Sequence, residues 1–197
     1  MPRSATGYVH LIRHGQSTFN AHYEATGQDP LHFDARLTDL GEQQVKAARD
    51  HYRDRDYDIV LVSPLTRAIQ TAHGIFGDRD IPFEICAAHR EWQISSCDIG
   101  RGVAELRTDF PHLDFSTLSD PWWRHDVPVS PLGFPQETEE HLAERVAAFT
   151  AMVADRLEER IAVVGHGDFF RRLIGRHLAN CERAEWDLNA ARELLRA

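Results

Sequence analysis

Three short apolar runs divide the chain: Tyr8–Ile12, Ile59–Val62 and Ile161–Val164. Each is rich in β-branched residues or leucine and has the length of a strand buried on both faces. Each is followed by a glycine or proline turn and then by a stretch with helical spacing. The spacing predicts helices over Asp39–Arg53, Pro64–Phe76, His141–Glu158 and Phe169–Leu178. In the third of these, Leu142, Val146, Phe149, Val153 and Leu157 recur at steps of three and four, which makes one apolar face. Glu137, Glu139 and Glu140 precede it and Arg156 and Arg160 close it, in the sense the helix dipole favours. Asp39, with Glu42 three residues on, has the form of a capping box. Strands alternating with helices point to a layered α/β fold in a single domain over residues 1–197.

Residues 92–136 break this rhythm. Five prolines fall between Pro111 and Pro135, Gly100 and Gly102 lie nearby, and one short helix is expected near Val103–Asp109. The segment reads as a loop-rich insertion. Its aromatics Trp92, Trp122 and Trp123 are expected to pack it onto the domain; a lid over a binding site is the functional alternative.

The net charge of −9, from 22 basic and 31 acidic residues, argues against a general nucleic-acid or anionic-membrane binder. It leaves room for one local cluster of Arg and His to bind an anion. Cys86, Cys97 and Cys181 are odd in number, widely spaced and without a CxxC, so reduced thiols are expected rather than a disulfide framework or a zinc site. The apolar stretch Val9–Ile12 is too short for a signal peptide or membrane span, and a cytoplasmic location is expected.

The three apolar runs end in reactive side chains. They lead into Arg13-His14-Gly15, Ser63-Pro64-Leu65-Thr66-Arg67 and Gly165-His166-Gly167. Open α/β sheets bind ligands beyond the carboxyl ends of their strands. Neighbouring strands would therefore gather two arginines and two histidines on one rim. Arginine forks pair with phosphate oxygens, a neutral imidazole can attack phosphorus, and a second imidazole, protonated, can offset charge growing on the oxygens. Glycines beside both histidines let backbone approach a ligand. Two histidines with Asp168 are also the beginnings of a metal site, though His166 and Asp168 lack a firm ligand spacing. No GxxxxGK[ST] loop is present.

Leu11-Ile12-Arg13-His14-Gly15-Gln16-Ser17-Thr18-Phe19-Asn20 resembles the signature of the histidine phosphatase superfamily, in its phosphoglycerate-mutase-like branch. Leu37–Gln44, Ser63–Ala72, Arg90-Glu91 and Val163–Gly167 resemble further segments of that family, in the family's order. Arg-His-Gly alone is unspecific; five segments in order are not. The resemblance implies a three-layer αβα fold with a mostly parallel sheet and an inserted segment beside the pocket. It implies a phosphohistidine on His14, with Arg13, Arg67, His166, Asn20 and Gly167 around the phosphoryl group. Glu91 then protonates the leaving oxygen and later activates water. No metal or organic cofactor is implied, and the expected partner is a small phosphorylated substrate.

Several positions depart from the family pattern. Asp168 stands where many members have a small residue, and Gln136-Glu137-Thr138 replaces Gly-Glu-Ser. Gln16 follows Arg-His-Gly where mutases usually have Glu, no mutase-like Trp-Glu-Gly tract follows Glu91, and Leu188–Ala197 is short. These points favour a phosphatase acting on a small phosphate monoester. A phosphoglycerate-mutase-type phosphotransferase and a catalytically weak phosphate-binding module remain the alternatives. Asp98 and Arg101 are expected to be loop salt-bridge formers, and Arg124 and His125 solvated surface.

Overall fold

Each apolar run becomes a buried strand: β1 (Tyr8–Arg13), β2 (Ile59–Val62) and β4 (Arg160–Gly165). Two further strands, β3 (Phe83–Ile85) and β5 (Arg183–Trp186), flank them in the computed structural model, which describes residues 7–187 together with 189 and 193. The sheet order is β3-β2-β4-β1-β5. All neighbours pair in parallel except β5, which runs antiparallel beside β1. The helices are α1 (Thr18–Thr26), α2 (Asp39–Tyr52), α3 (Thr66–Phe76), α4 (Val103–Asp109), α5 (Glu139–Ala154) and α6 (Gly167–Ile174).

Alternate residues of a strand face opposite sides of a sheet, so continuous apolar strands need cover on both. Ile12, Val60, Val62, Ala162 and Val164 pack with Val45 and Ala48 of α2 and Ala68, Ile69 and Ile75 of α3. Val9, Leu11, Leu61, Ile161 and Val163 pack with Leu142, Phe149 and Val153 of α5 and Phe169 and Phe170 of α6. The result is the expected three-layer α/β arrangement with a mostly parallel sheet. Each such fully buried aliphatic or aromatic side chain contributes roughly 1.5–3 kcal/mol.

The helix limits differ from the periodic reading where polar chemistry intervened. Thr38, not Asp39, caps α2: its side chain accepts from the Gly41 amide at 3.0 Å, and Asp39 lies in the first turn. The third helix begins two residues earlier than its periodicity suggests, capped by Thr138, and ends at Ala154. Leu157 therefore leaves the apolar face and is 96% exposed. Arg156 and Arg160 do not close that helix; Arg156 pairs with Glu84 and Glu158, and Arg160 begins β4 beside Asp58. The helix expected over Phe169–Leu178 runs instead over Gly167–Ile174 and stops at Gly175, which takes the left-handed φ of 75°. Helix α1 and the edge strands β3 and β5 have too few apolar residues to stand out in the pattern.

The insertion carries α4 where expected and is pinned by its aromatics. Trp122 is buried in the α2–α3 core and donates its indole N–H to the Arg101 carbonyl at 3.0 Å. Trp123 packs on the same core and Trp92 on the opposite one. The reading of Leu188–Ala197 falls outside the described residues, apart from Asn189 and Glu193.

Candidate active site

Parallel register brings three strand ends level. Arg13 of β1 stands opposite Gly165 of β4, and Val62 of β2 opposite Val164. The next residues, His14, His166 and Ser63, therefore emerge side by side, with the His14 amide donating to the Gly165 carbonyl at 3.0 Å and the Ser63 amide to Val164 at 3.1 Å. The His14 and His166 rings lie 5.2 Å apart between centroids.

A cavity of about 280 Å³ opens at this rim, lined among others by Arg13, His14, Asn20, Arg67, Glu91, Asp98, Gly167 and Asp168. His166 lies fully buried behind His14. A larger cavity of about 510 Å³ beside α2 gathers none of these groups.

His14 is 2% exposed, and its Nδ1 lies 2.7 Å from the Gly15 carbonyl oxygen. A carbonyl only accepts, so the proton resides on Nδ1 and Nε2 keeps its lone pair. Burial, with the Arg67 and Arg13 charges, pushes the His14 pKa well below its ordinary value. The side chain is therefore a neutral imidazole whose free nitrogen accepts from Arg67 Nε at 3.2 Å.

Arg67 is buried on α3 and serves three partners. Besides His14 it donates to the Cys97 carbonyl at 2.6 Å and to Asp98 Oδ1 at 3.0 Å. Asp98 is only 3% exposed and forms part of the cavity wall, so it is not the ordinary loop ion-pair partner expected of it. Its pairing offsets the cost of burying a guanidinium. Arg101 does behave as expected, bridging Asp34 and Asp109.

Arg13 donates through Nη1 to the Leu178 carbonyl at 2.7 Å, while its buried Nε has no protein partner. His166 Nε2 lies 2.7 Å from Ser63 Oγ, and its buried Nδ1 is likewise unpartnered. Burial, helped by Arg67, lowers the His166 pKa well below its usual value. In this pocket His166 is thus neutral rather than protonated, and it can still donate through one ring nitrogen. Arg13 Nε is thus a buried donor without a protein partner beside His14, which is what an anion's oxygen satisfies.

The adjacent glycines leave room for close protein contacts, and Gly167 also lines the cavity. A Cβ on Gly167 meets Arg13 Nε at 3.2 Å, and one on Gly15 meets the Gly41 carbonyl at 2.8 Å. Asn20 sits on α1, where its Oδ1 accepts from the Ser17 amide at 3.1 Å in the helix cap. Its amine end is left for a ligand.

Glu91 is set by its surroundings. It accepts from the amides of Trp92 at 2.8 Å, Phe169 at 2.9 Å and Asp168 at 3.1 Å, the last two at the start of α6. Burial and the charges of Asp98 and Asp168 outweigh these bonds and push its pKa up to about 7. Its backbone is held from behind. Arg145 donates to the carbonyls of Ala88, Arg90 and Glu91 at 3.1, 2.9 and 3.0 Å, and Glu137 binds both Arg145 and Arg90. Glu137 is buried and absent from the cavity lining, so the altered Gln136-Glu137-Thr138 segment anchors the acid rather than edging the pocket.

Arg145, Glu137, Ser63, Phe19, Tyr23 and His177 were not legible as site residues. Arg145 lies on α5 and Glu137 just before its cap, eight residues apart, a spacing that carries no distinct signal. Arg124 and His125 lie outside the cavity lining. Among the described residues no group of three or more His, Cys, Asp or Glu is arranged to hold a metal. No described helix is long and apolar enough to cross a membrane.

A parallel sheet carrying paired histidines and arginines at its strand ends defines a protein of the histidine phosphatase type. The model of the histidine phosphatase superfamily (branch 1) matches residues 9–193, and the chain belongs to that family. A phosphoglycerate mutase-like protein of Arabidopsis thaliana is 31% identical, over 88% of this chain and 81% of its own length. The adenosylcobalamin/alpha-ribazole phosphatase of Escherichia coli is 27% identical, over 89% of this chain and 81% of its own. Among solved structures, the alpha-ribazole phosphatase of Shigella flexneri superposes with a TM-score of 0.63 over 90% of this chain and 89% of its own, at 22% identity, a likeness of fold.

Proposed function

We propose that this protein is a phosphatase that hydrolyses a small phosphate monoester through a phosphohistidine on His14. The observation that carries the reading is a buried, neutral His14 with its lone pair on Nε2, beside Arg67 and Arg13, whose buried Nε lacks a protein partner, and beside His166, whose Nδ1 also lacks one.

Arg13, Arg67, His166 and the Asn20 amide hold the phosphoryl oxygens. His14 Nε2 attacks phosphorus, an N–P bond forms and the ester P–O bond breaks. Glu91, protonated to a useful extent near neutral pH, gives its proton to the departing oxygen. In the second half the Glu91 carboxylate takes a proton from water as the water oxygen attacks phosphorus. The N–P bond breaks, inorganic phosphate leaves, and His14 and Glu91 return to their starting states. No cofactor enters either half. Two fixed guanidinium groups and hydrogen-bond donors offset the charge that grows on the oxygens.

The first residues of the 92–136 segment contribute to this pocket. Ile94, Ser95, Cys97 and Asp98 line it, while Trp122 ties the rest of the segment to the core. Water that reaches the intermediate through this pocket completes hydrolysis, whereas its exclusion would retain the phosphoryl group for back-transfer.

The test is phosphate release from a panel of sugar phosphates, nucleotides, phosphoglycerates and an aryl phosphate, in chelator, by wild type and His14→Ala. Release should fall on the order of a thousandfold or more in the variant. Equal release by both proteins, or transfer to an acceptor without net release, would remove the phosphatase reading.

A further inference from the structure

The cavity is not uniformly positive. Arg13 and Arg67 are the only arginine or lysine side chains that line it among the described residues. Both are committed to the phosphoryl group, and Arg67 is already paired with Asp98 at 3.0 Å. Three carboxyl groups, Glu91, Asp98 and Asp168, line the same cavity.

Asp168 is the one of the three that neither pairs with Arg67 nor serves as the proposed proton donor. It sits in the first turn of α6, at the mouth, with its side chain 32% exposed. Its ion partner is Arg171, 3.2 Å away one turn along the helix and itself 46% exposed, outside the cavity lining. Such a pair is screened by water, so it leaves much of the Asp168 charge uncompensated at the mouth. Binding a phosphate dianion adds further negative charge to a pocket that holds two cations and three acids. A second anion on the same substrate finds no further arginine or lysine among the described lining residues, only His177, and meets Asp168 in the same lining. The remaining wall suits carbon and hydroxyl or amine groups: Phe19 and Tyr23 stack at 5.6 Å between centroids, and Ser95 lies beside them in the lining.

We infer that the substrate is the phosphate monoester of a small alcohol that bears hydroxyl or amine groups and no acid. Asp168 excludes esters whose leaving group carries a carboxylate or a second phosphate. This rests on the hydrolase reading above and narrows it. Attraction selects the phosphoryl group; repulsion at the mouth selects what is attached to it.

Two matched pairs test it. Glycerol 3-phosphate and 3-phosphoglycerate differ by a hydroxymethyl against a carboxylate; phosphoethanolamine and 2-phosphoglycolate differ by an amine against a carboxylate. Wild type should favour the acid-free member of each pair by about fivefold in kcat/KM, the scale of one water-screened like-charge contact at close range. Asp168→Asn should narrow both ratios several-fold and Asp168→Glu should keep them. If Asp168 merely complements the start of α6, Asp168→Asn would lower stability and leave the ratios alone, which overturns the inference. A wild-type preference for the carboxylates overturns it too. Absence of His14-dependent release from p-nitrophenyl phosphate sinks the hydrolase reading separately. The pairs are then compared as dissociation constants on His14→Ala by calorimetry, where the same ordering supports the inference and the reverse order overturns it.

Discussion

The two ends of the cavity are built in opposite ways. The phosphoryl end stands on the carboxyl ends of β1 and β4 and on the start of α3 after β2, so its groups inherit the rigidity of hydrogen-bonded, doubly covered strands. The leaving-group end is made of loops and helix starts: Glu91, Ile94, Ser95 and Asp98 from the segment after β3, and Asp168 from the first turn of α6. One end carries the two arginines; the other carries Glu91 and Asp168, with Asp98 buried against Arg67. The difference teaches where each property resides. Bond-making groups belong on the frame, where small displacements are costly, and selectivity belongs on segments that can vary without disturbing the sheet.

Glu91 joins the two ends, and its removal should produce the largest change after the loss of His14. Glu91→Gln is expected to slow hydrolysis of alkyl phosphates about a hundredfold, and of aryl phosphates less, since a good leaving group needs little protonation. Steady-state rates on the two ester types would measure it. Because the first step needs the protonated acid, wild-type kcat/KM for alkyl esters should fall as pH rises through about 7, the pKa imposed by burial with Asp98 and Asp168. Arg67, which also faces Glu91, stays charged throughout and adds no limb of its own. The variant should lack that limb; an unchanged alkaline limb would assign it to another group.

The loop-built end depends on its attachment. A Cβ on Gly100 would come within 2.0 Å of the Trp122 ring, so Gly100→Ala must displace the residue that ties the insertion to the core. Overpacking of this kind costs about 1–3 kcal/mol, which urea unfolding would detect. Unaltered stability would mean that the insertion is not anchored through Trp122. The smallest effect is expected at the frame itself. Gly167→Ala asks Arg13 to retreat by a few tenths of an ångström, because a Cβ there lies 3.2 Å from its Nε. A rise in KM of roughly two- to fivefold with kcat less affected fits a displaced phosphate contact; a fall in kcat alone would tie Arg13 to the chemical step instead.

Legibility followed the same divide. The doubly buried strands announced themselves as apolar runs, and their ends carried Arg13, His14, Arg67 and His166 in plain view. Glu91 became legible through the family's ordered segments and not through periodicity, since nothing around it repeats. Asp98 could not be told from a surface acid, because its burial depends on Arg67, 31 residues away along the chain, swinging in beneath it. The Arg145–Glu137 clamp was hidden for a similar reason: Glu137 lies before the cap of α5, and nothing local says that three carbonyls await the Arg145 side chain.

The sequence by itself determined the layered α/β class, because only strands covered on both sides can be apolar throughout. It also singled out Arg13, His14, Arg67 and His166 as candidates, because they lie at or just beyond the ends of those strands. Tertiary structure decided the rest. Register set His14 beside His166, and burial, which no local pattern encodes, made both imidazoles neutral and raised Glu91 to about 7. Those are properties of desolvation and of charges brought together from distant segments, so they exist only once the chain has folded.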